Sequence, residues 1–254
     1  GGDFMQKNLV QRHALFFSVI VFCFVIVPFI RKAYAQEKAD KKQQAETLVI
    51  RTQKQAEEKK VTKRRVVLDA GHGGYDDGSV AADGTKEKNI TLQLTKKIGK
   101  LLEKQDVDVV YTRVQDKVSW PSDNEKDLLE RSRIANTSKA DYFISIHMNF
   151  SDTAQDSARG AEIWVRESDA KSRALAKQVN KQLTGLKGMK SRGLKDEADA
   201  PLSLMEYTDI PTILVEAGFL SNDDDLSYLK SEKNQEAMAK AIADGIVHAF
   251  DKES

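Results

Sequence analysis

From Val66 onward the chain alternates short β-branched runs with amphipathic helical periods, a rhythm that few folds accommodate. Val66–Leu68, Val107–Tyr111, Tyr142–Ile146, Ile163–Val165 and Thr212–Val215 are compact apolar runs bounded by polar residues or glycine, which reads as strand. Between them Ile90, Leu94, Ile98 and Leu101 recur at three-to-four spacing, as do Met238, Ile242, Ile246 and Phe250. Ala170 to Leu183 supplies a further helix. Strands that alternate with helices of this length define an α/β domain, with a mainly parallel, twisted sheet flanked by helices. We assign residues 66–254 to it.

Upstream the material changes. Gly1 to Phe4 precede the first methionine, Met5, and read as an appended scar. Residues 5–35 read as a signal or membrane-anchor segment: Lys7, Arg12 and His13 lead into the uncharged run Ala14–Ile30, interrupted only by Ser18 and Pro28. Its seventeen residues reach the lower limit for a transmembrane helix and slightly exceed a usual signal core. Ala33-Tyr34-Ala35 fits the small-x-small pattern of a cleavage site and would leave a chain starting at Gln36. Arg31 and Lys32, directly after the run, favour an anchor that stays. Both readings stand, and both put the bulk of the chain outside the cytoplasmic membrane. A buried core helix fits worse, because the run is apolar on all sides. Cys23 lacks the preceding small residues that lipidation needs.

Residues 36–65 are dominated by Lys, Glu, Gln and Ala, with Leu48 to Ile50 the single apolar cluster. Such a segment cannot bury enough apolar surface to fold alone, so it reads as a charged linker, in part helical. Over the whole chain 40 basic residues balance 39 acidic ones, which gives no basic face for nucleic acid. One cysteine permits no intrachain disulfide.

The chemistry concentrates at strand ends. His13 and His248 read as ordinary residues, whereas His72 follows the first strand in Asp69-Ala70-Gly71-His72-Gly73-Gly74. His147 directly follows the strand Tyr142–Ile146, and Thr212–Val215 runs straight into Glu216. Three ionisable groups therefore fall at the carboxyl ends of three expected parallel strands, the edge where α/β sheets bind ligands. A catalytic zinc ion commonly takes two His and one carboxylate and keeps one position open. Glu87, at the head of the first helix, is a candidate third ligand. Composition alone reads it equally well as a first-turn acid that complements the helix dipole.

Taken together, these motifs resemble the zinc-dependent N-acetylmuramoyl-L-alanine amidases of the amidase type 3 family. The resemblance is carried by Asp69-x-Gly71-His72-Gly73-Gly74-x-Asp76-x-Gly78, by Glu87, by Ser145-Ile146-His147-x-Asn149 and by Val215-Glu216-x-Gly218-Phe219-x-Ser221-Asn222. Leu129-x-Arg131-x-x-Ile134-Ala135-Asn136 adds to it, and it spans about Val66 to Phe250. Ala70, where many members carry Pro, is a small departure. The resemblance implies that His72, Glu87 and His147 bind Zn2+ and that Glu216 is the catalytic acid/base. It implies a peptidoglycan substrate, cut between N-acetylmuramic acid and the L-alanine of the stem peptide, and action at the cell wall. Many regulated members of that family insert an autoinhibitory helix between the second His strand and the catalytic Glu; here only 68 residues separate His147 from Glu216, filled by one strand, one helix and the loop to Pro211, so that helix reads as absent. Whether a protein activator exists is open. Arg131, Asn149, Ser203 and Asn222 read either as groove residues or as structural hydrogen-bonders.

Overall fold

A computed structural model describes residues 27–60, 64–152, 158–166, 168–199 and 202–253. It divides into two compact units, 1–62 and 63–254.

Among its described residues the first unit contains one helix, α1 (Val27–Lys60). The segment read as a linker is thus helical up to Lys60, and residues 61–63 lie outside the described residues. Ala, Lys, Glu and Gln are strong helix formers, and exposed pairs such as Lys41–Glu37 at 2.6 Å add i,i+4 support. Pro28 sits in the first turn, where its missing N–H breaks no helical bond. The residues of the apolar run before Val27 lie outside the described residues. Among the described residues no helix is long and apolar enough to cross a membrane, so nothing in them supports the expected anchor. Ala33-Tyr34-Ala35 falls within α1.

The second unit is built on a six-stranded sheet of order β2-β1-β3-β6-β4-β5. Its strands are β1 (Arg65–Ala70), β2 (Asp108–Tyr111), β3 (Tyr142–Asn149), β4 (Ala161–Val165), β5 (Ser191–Asp196) and β6 (Thr212–Phe219). The expected mainly parallel sheet is in fact mixed. β2, β1, β3 and β6 run parallel, β4 pairs antiparallel with β6, and β5 pairs parallel with β4. Hydropathy reports that a strand is buried but not which way it points, which is why β4 was read as one of a parallel set. β5 carries no β-branched residue and left no strand signal; its pairing to β4 makes it a strand.

Two layers of helix cover the sheet. One face packs against α2 (Glu87–Glu103), α4 (Ala170–Leu183) and α7 (Glu232–Glu253) through fully buried side chains such as Leu68, Leu94, Ile98, Ile144, Ile163, Leu175 and Ile246. The other face carries a smaller cluster, Val67, Phe143, Ala135 and Leu204, under α3 (Asn124–Thr137) and the four-residue α5 (Ser203–Glu206). A short helix, α6 (Asp223–Lys230), follows β6 and is capped by Asn222, whose side chain accepts from the Asp225 N–H at 3.2 Å. This unequal cover leaves the second face open at the carboxyl ends of the parallel strands.

Candidate metal centre

Both β3 and β6 run further than expected, so His147 and Glu216 lie within strands rather than after them. They are direct partners in the β3–β6 register, and the ladder shifts just beyond, between His147 and Asn149. Side chains alternate along a strand. Ile144, Ile146 and Met148 therefore enter the larger core while Ser145, His147 and Asn149 face the open side.

His72 stands on the loop after β1 with φ +61°, a left-handed conformation that costs a non-glycine residue energy and persists only when neighbours impose it. The neighbours are two buried arginines. Arg131 donates to the carbonyls of Ala70 (2.8 Å) and His72 (2.7 Å), and Arg113 donates to those of Ala70 (2.8 Å) and Gly71 (2.9 Å). Arg131 is itself locked between Asp69 at 2.6 Å and Asp127 at 2.7 Å, while Ser145 and Thr112 donate to Asp69 from 2.6 Å each. Burial alone would raise the Asp69 pKa, but Arg131 and these hydroxyls outweigh it and hold the carboxylate at about 2. Arg131 is thus a structural clamp. Gly71 closes the loop onto β3: its N–H reaches the Ile146 carbonyl at 3.0 Å, and a Cβ there would stand 2.4 Å from the His147 ring.

Glu87 opens α2 as expected, and its side chain turns inward, 2% exposed. Oε1 lies 3.1 Å from His72 Nε2 and 3.1 Å from His147 Nδ1, and accepts from the Met148 N–H at 2.8 Å. Oε2 accepts from the Ser79 N–H at 2.9 Å. One ligand atom each from His72, Glu87 and His147 falls within 4.8 Å of the others, the only such group of metal-binding side chains among the described residues. The two imidazoles meet edge to face with centroids 4.8 Å apart. Burial opposes charge on His72, but the Glu87 and Asp76 carboxylates outweigh it and raise the imidazole pKa to about 9. Glu87 is likewise held well below the usual carboxylate range, because the two histidines overcome the cost of its burial.

Asp76 was missed as a functional residue. Its Oδ2 lies 2.6 Å from His72 Nδ1, and this contact turns Nε2 toward Glu87. A carboxylate behind a histidine is the usual way to fix the tautomer and orientation of a metal ligand. Its place in the glycine-rich motif was the available signal.

Glu216 has a different setting. Its Oε2 is buried without a hydrogen-bond partner among the described residues. Burial pushes its carboxyl well above the ordinary range, and repulsion from Glu87 and Glu162 adds to that. Across the β4–β6 pair it faces Glu162, which is 3% exposed and fully satisfied by Asn149 Nδ2 (2.8 Å), Trp164 Nε1 (3.2 Å) and Arg192 Nε (2.6 Å). Asn149 is thus a structural hydrogen-bonder. A pocket of about 200 Å3 opens beside the two histidines, walled by Asn124, Leu128, Arg131 and Leu204. His248 is remote from all this, at the surface of α7 beside Gln182 at 3.1 Å.

An α/β domain with a His–Glu–His cluster and a lone buried carboxylate on its open edge has the form of a metallohydrolase. The match to known proteins is more specific. Residues 66–248 fit the family model described as N-acetylmuramoyl-L-alanine amidase, and the chain belongs to that family. An endolysin of Bacillus phage SPP1 is 36% identical over 186 residues, 71% of this chain and 64% of the endolysin. The chain thus spans just under two thirds of that relative. Among solved structures, N-acetylmuramoyl-L-alanine amidase AmiC2 of Nostoc punctiforme is 32% identical with a TM-score of 0.66, covering 75% of this chain and 98% of that one. The N-acetylmuramoyl-L-alanine amidase from Clostridium difficile 630 is 30% identical with a TM-score of 0.68, covering 75% and 98%.

Proposed function

We propose that this chain is a zinc-dependent N-acetylmuramoyl-L-alanine amidase that acts on peptidoglycan outside the cytoplasmic membrane. His72, Glu87 and His147 hold the ion, and Glu216 is the general acid/base. The observation that carries the reading is Glu216 Oε2, a buried carboxylate oxygen with no partner among the described residues, placed one strand pairing from His147. Structural carboxylates are normally satisfied, as Glu162 is. One left unsatisfied next to a metal-binding cluster is available for proton transfer.

The donor set fits the ion. Two imidazoles and one carboxylate, with no fourth protein ligand in the cluster, match the usual arrangement of a catalytic zinc site. When bound, zinc would polarise the scissile carbonyl and make water a better nucleophile. Everything else falls to the chain. Glu216 takes a proton from the attacking water and returns it to the departing amine of L-alanine, a role worth roughly 10²–10⁴-fold in rate. Asp76 orients His72 through its Nδ1. The open second face gives a branched polymer room to approach. Among the described residues between His147 and Glu216, the long helix α4 packs on the opposite face, and α5 has only four residues.

The test is mass analysis of digested muropeptides with wild type and Glu216→Ala side by side. Wild type should leave intact glycan and release peptides that begin with free L-alanine. Cleavage within the stem peptide would instead identify a peptidase.

A further inference from the structure

The fifth strand carries chemistry that the proposed reaction does not use. Between Ala161–Ser191 and Ile163–Leu194 the β4–β5 register shifts, because β5 spends three residues where β4 spends two. Gly193, at φ +80°, supplies the left-handed turn that such a bulge needs. The extra residue brings Arg192 and Lys195, which regular alternation would put on opposite faces, to the same side. Arg192 sits beside Glu162 and Lys195 pairs with Trp164. That is the face that bears Glu216, since Glu162 and Glu216 are opposed across β4–β6.

Arg192 is fixed in place. Nε donates to Glu162 Oε2 at 2.6 Å, and the guanidinium lies over the Phe219 ring, 5.1 Å from its centroid. Among the described residues neither terminal nitrogen has a hydrogen-bond partner, and the side chain is 36% exposed. Lys195 has no ion pair among them either. A guanidinium anchored through Nε with its outer fork free is arranged to receive a carboxylate.

We infer that Arg192, with Lys195 beside it, forms a subsite for a carboxylate on the peptide side of the scissile amide. This rests on the amidase reading, because it places the peptide over β6–β4–β5 and the sugar toward the pocket beside the histidines. The ligand is an acidic peptide, and the stem peptide meets that description through the free carboxyl of the acidic residue after L-alanine. Glu162 is then a positioning residue that holds Arg192 on one side and Asn149 on the other.

The zinc-loaded full chain would be assayed on two muramyl peptides that differ in one group, a free carboxylate or its amide. Wild type should favour the acid form. Arg192→Gln should lose about ten- to a hundredfold in kcat/KM on the acid form, mainly through KM, and little on the amide. Lys195→Gln, a strand-surface change, should narrow the preference in the same direction by a smaller factor. It keeps the question decidable if loss of Arg192 unsettles Glu162. Equal losses on both substrates, no preference in wild type, or an undiminished preference in Lys195→Gln when Arg192→Gln does not fold would each overturn the subsite and leave the amidase standing. If wild type frees L-alanine termini from neither substrate, the amidase reading falls and takes the subsite with it.

Discussion

Both carboxylate oxygens of Glu87 are held by protein groups, whereas Oε2 of Glu216, across the sheet, has none among the described residues. The contrast extends outward. On the parallel side two arginines and a glycine contact hold the loop that carries His72. On the antiparallel side the face is edged by an irregular strand and left half open. One side of the site is fixed before any ligand arrives, and the other keeps unspent polar capacity. Rigidity and reactivity are thus divided along the seam between β3 and β6.

The sharpest way to break this division is to remove a member of the fixed side. His72→Ala or His147→Ala should abolish turnover and metal binding together, and a full metal complement in either variant would refute the ligand assignment. Glu216→Gln should also cut turnover by about 10²–10⁴-fold, yet leave the metal in place. It should raise the melting temperature of the metal-free protein, because it removes a carboxylate whose ionisation burial opposes. Asp76→Ala probes a support rather than a ligand. It should weaken metal affinity by about 10–100-fold while activity recovers at saturating zinc.

The smallest effect is on pH. His72 in the metal-free protein has a pKa raised to about 9, above its unfolded value of 6.5. Its contribution to stability is therefore present below about pH 6.5 and is lost as pH rises through about 9. Metal binding must displace that proton, so affinity should climb with pH over the same window, with proton release measurable by calorimetry in two buffers. Metal binding without proton release near neutral pH would contradict the close Glu87–His72–Asp76 contact.

Much of the fixed side was legible in the sequence, because strand ends and glycine-rich turns leave strong local signals. The runs ending at His72, His147 and Glu216 were visible as strands, and the His–Glu–His grouping followed once Glu87 was included. What failed to show was whatever depends on pairing. The reversed direction of β4 is invisible to hydropathy. Ser191–Asp196 is a strand only because β4 offers it a ladder, and Arg192 and Lys195 share a face only because of Gly193. Asp76 looked like part of a turn, and its contact with His72 is geometric. α1 is helical through Lys60 because a composition too polar to form a core still favours a helix.

The clamp beneath His72 has a consequence for how the site is supplied. Arg131 and Arg113 grip the loop through its carbonyls, so the loop is shaped by protein groups rather than by the ion. Zinc would then enter a finished socket instead of organising one. A chelator should silence such a protein without unfolding it, and returning the ion should restore it at once, with no refolding step. Availability of zinc in the surroundings would govern it as a tap governs flow, independently of how much protein has been made.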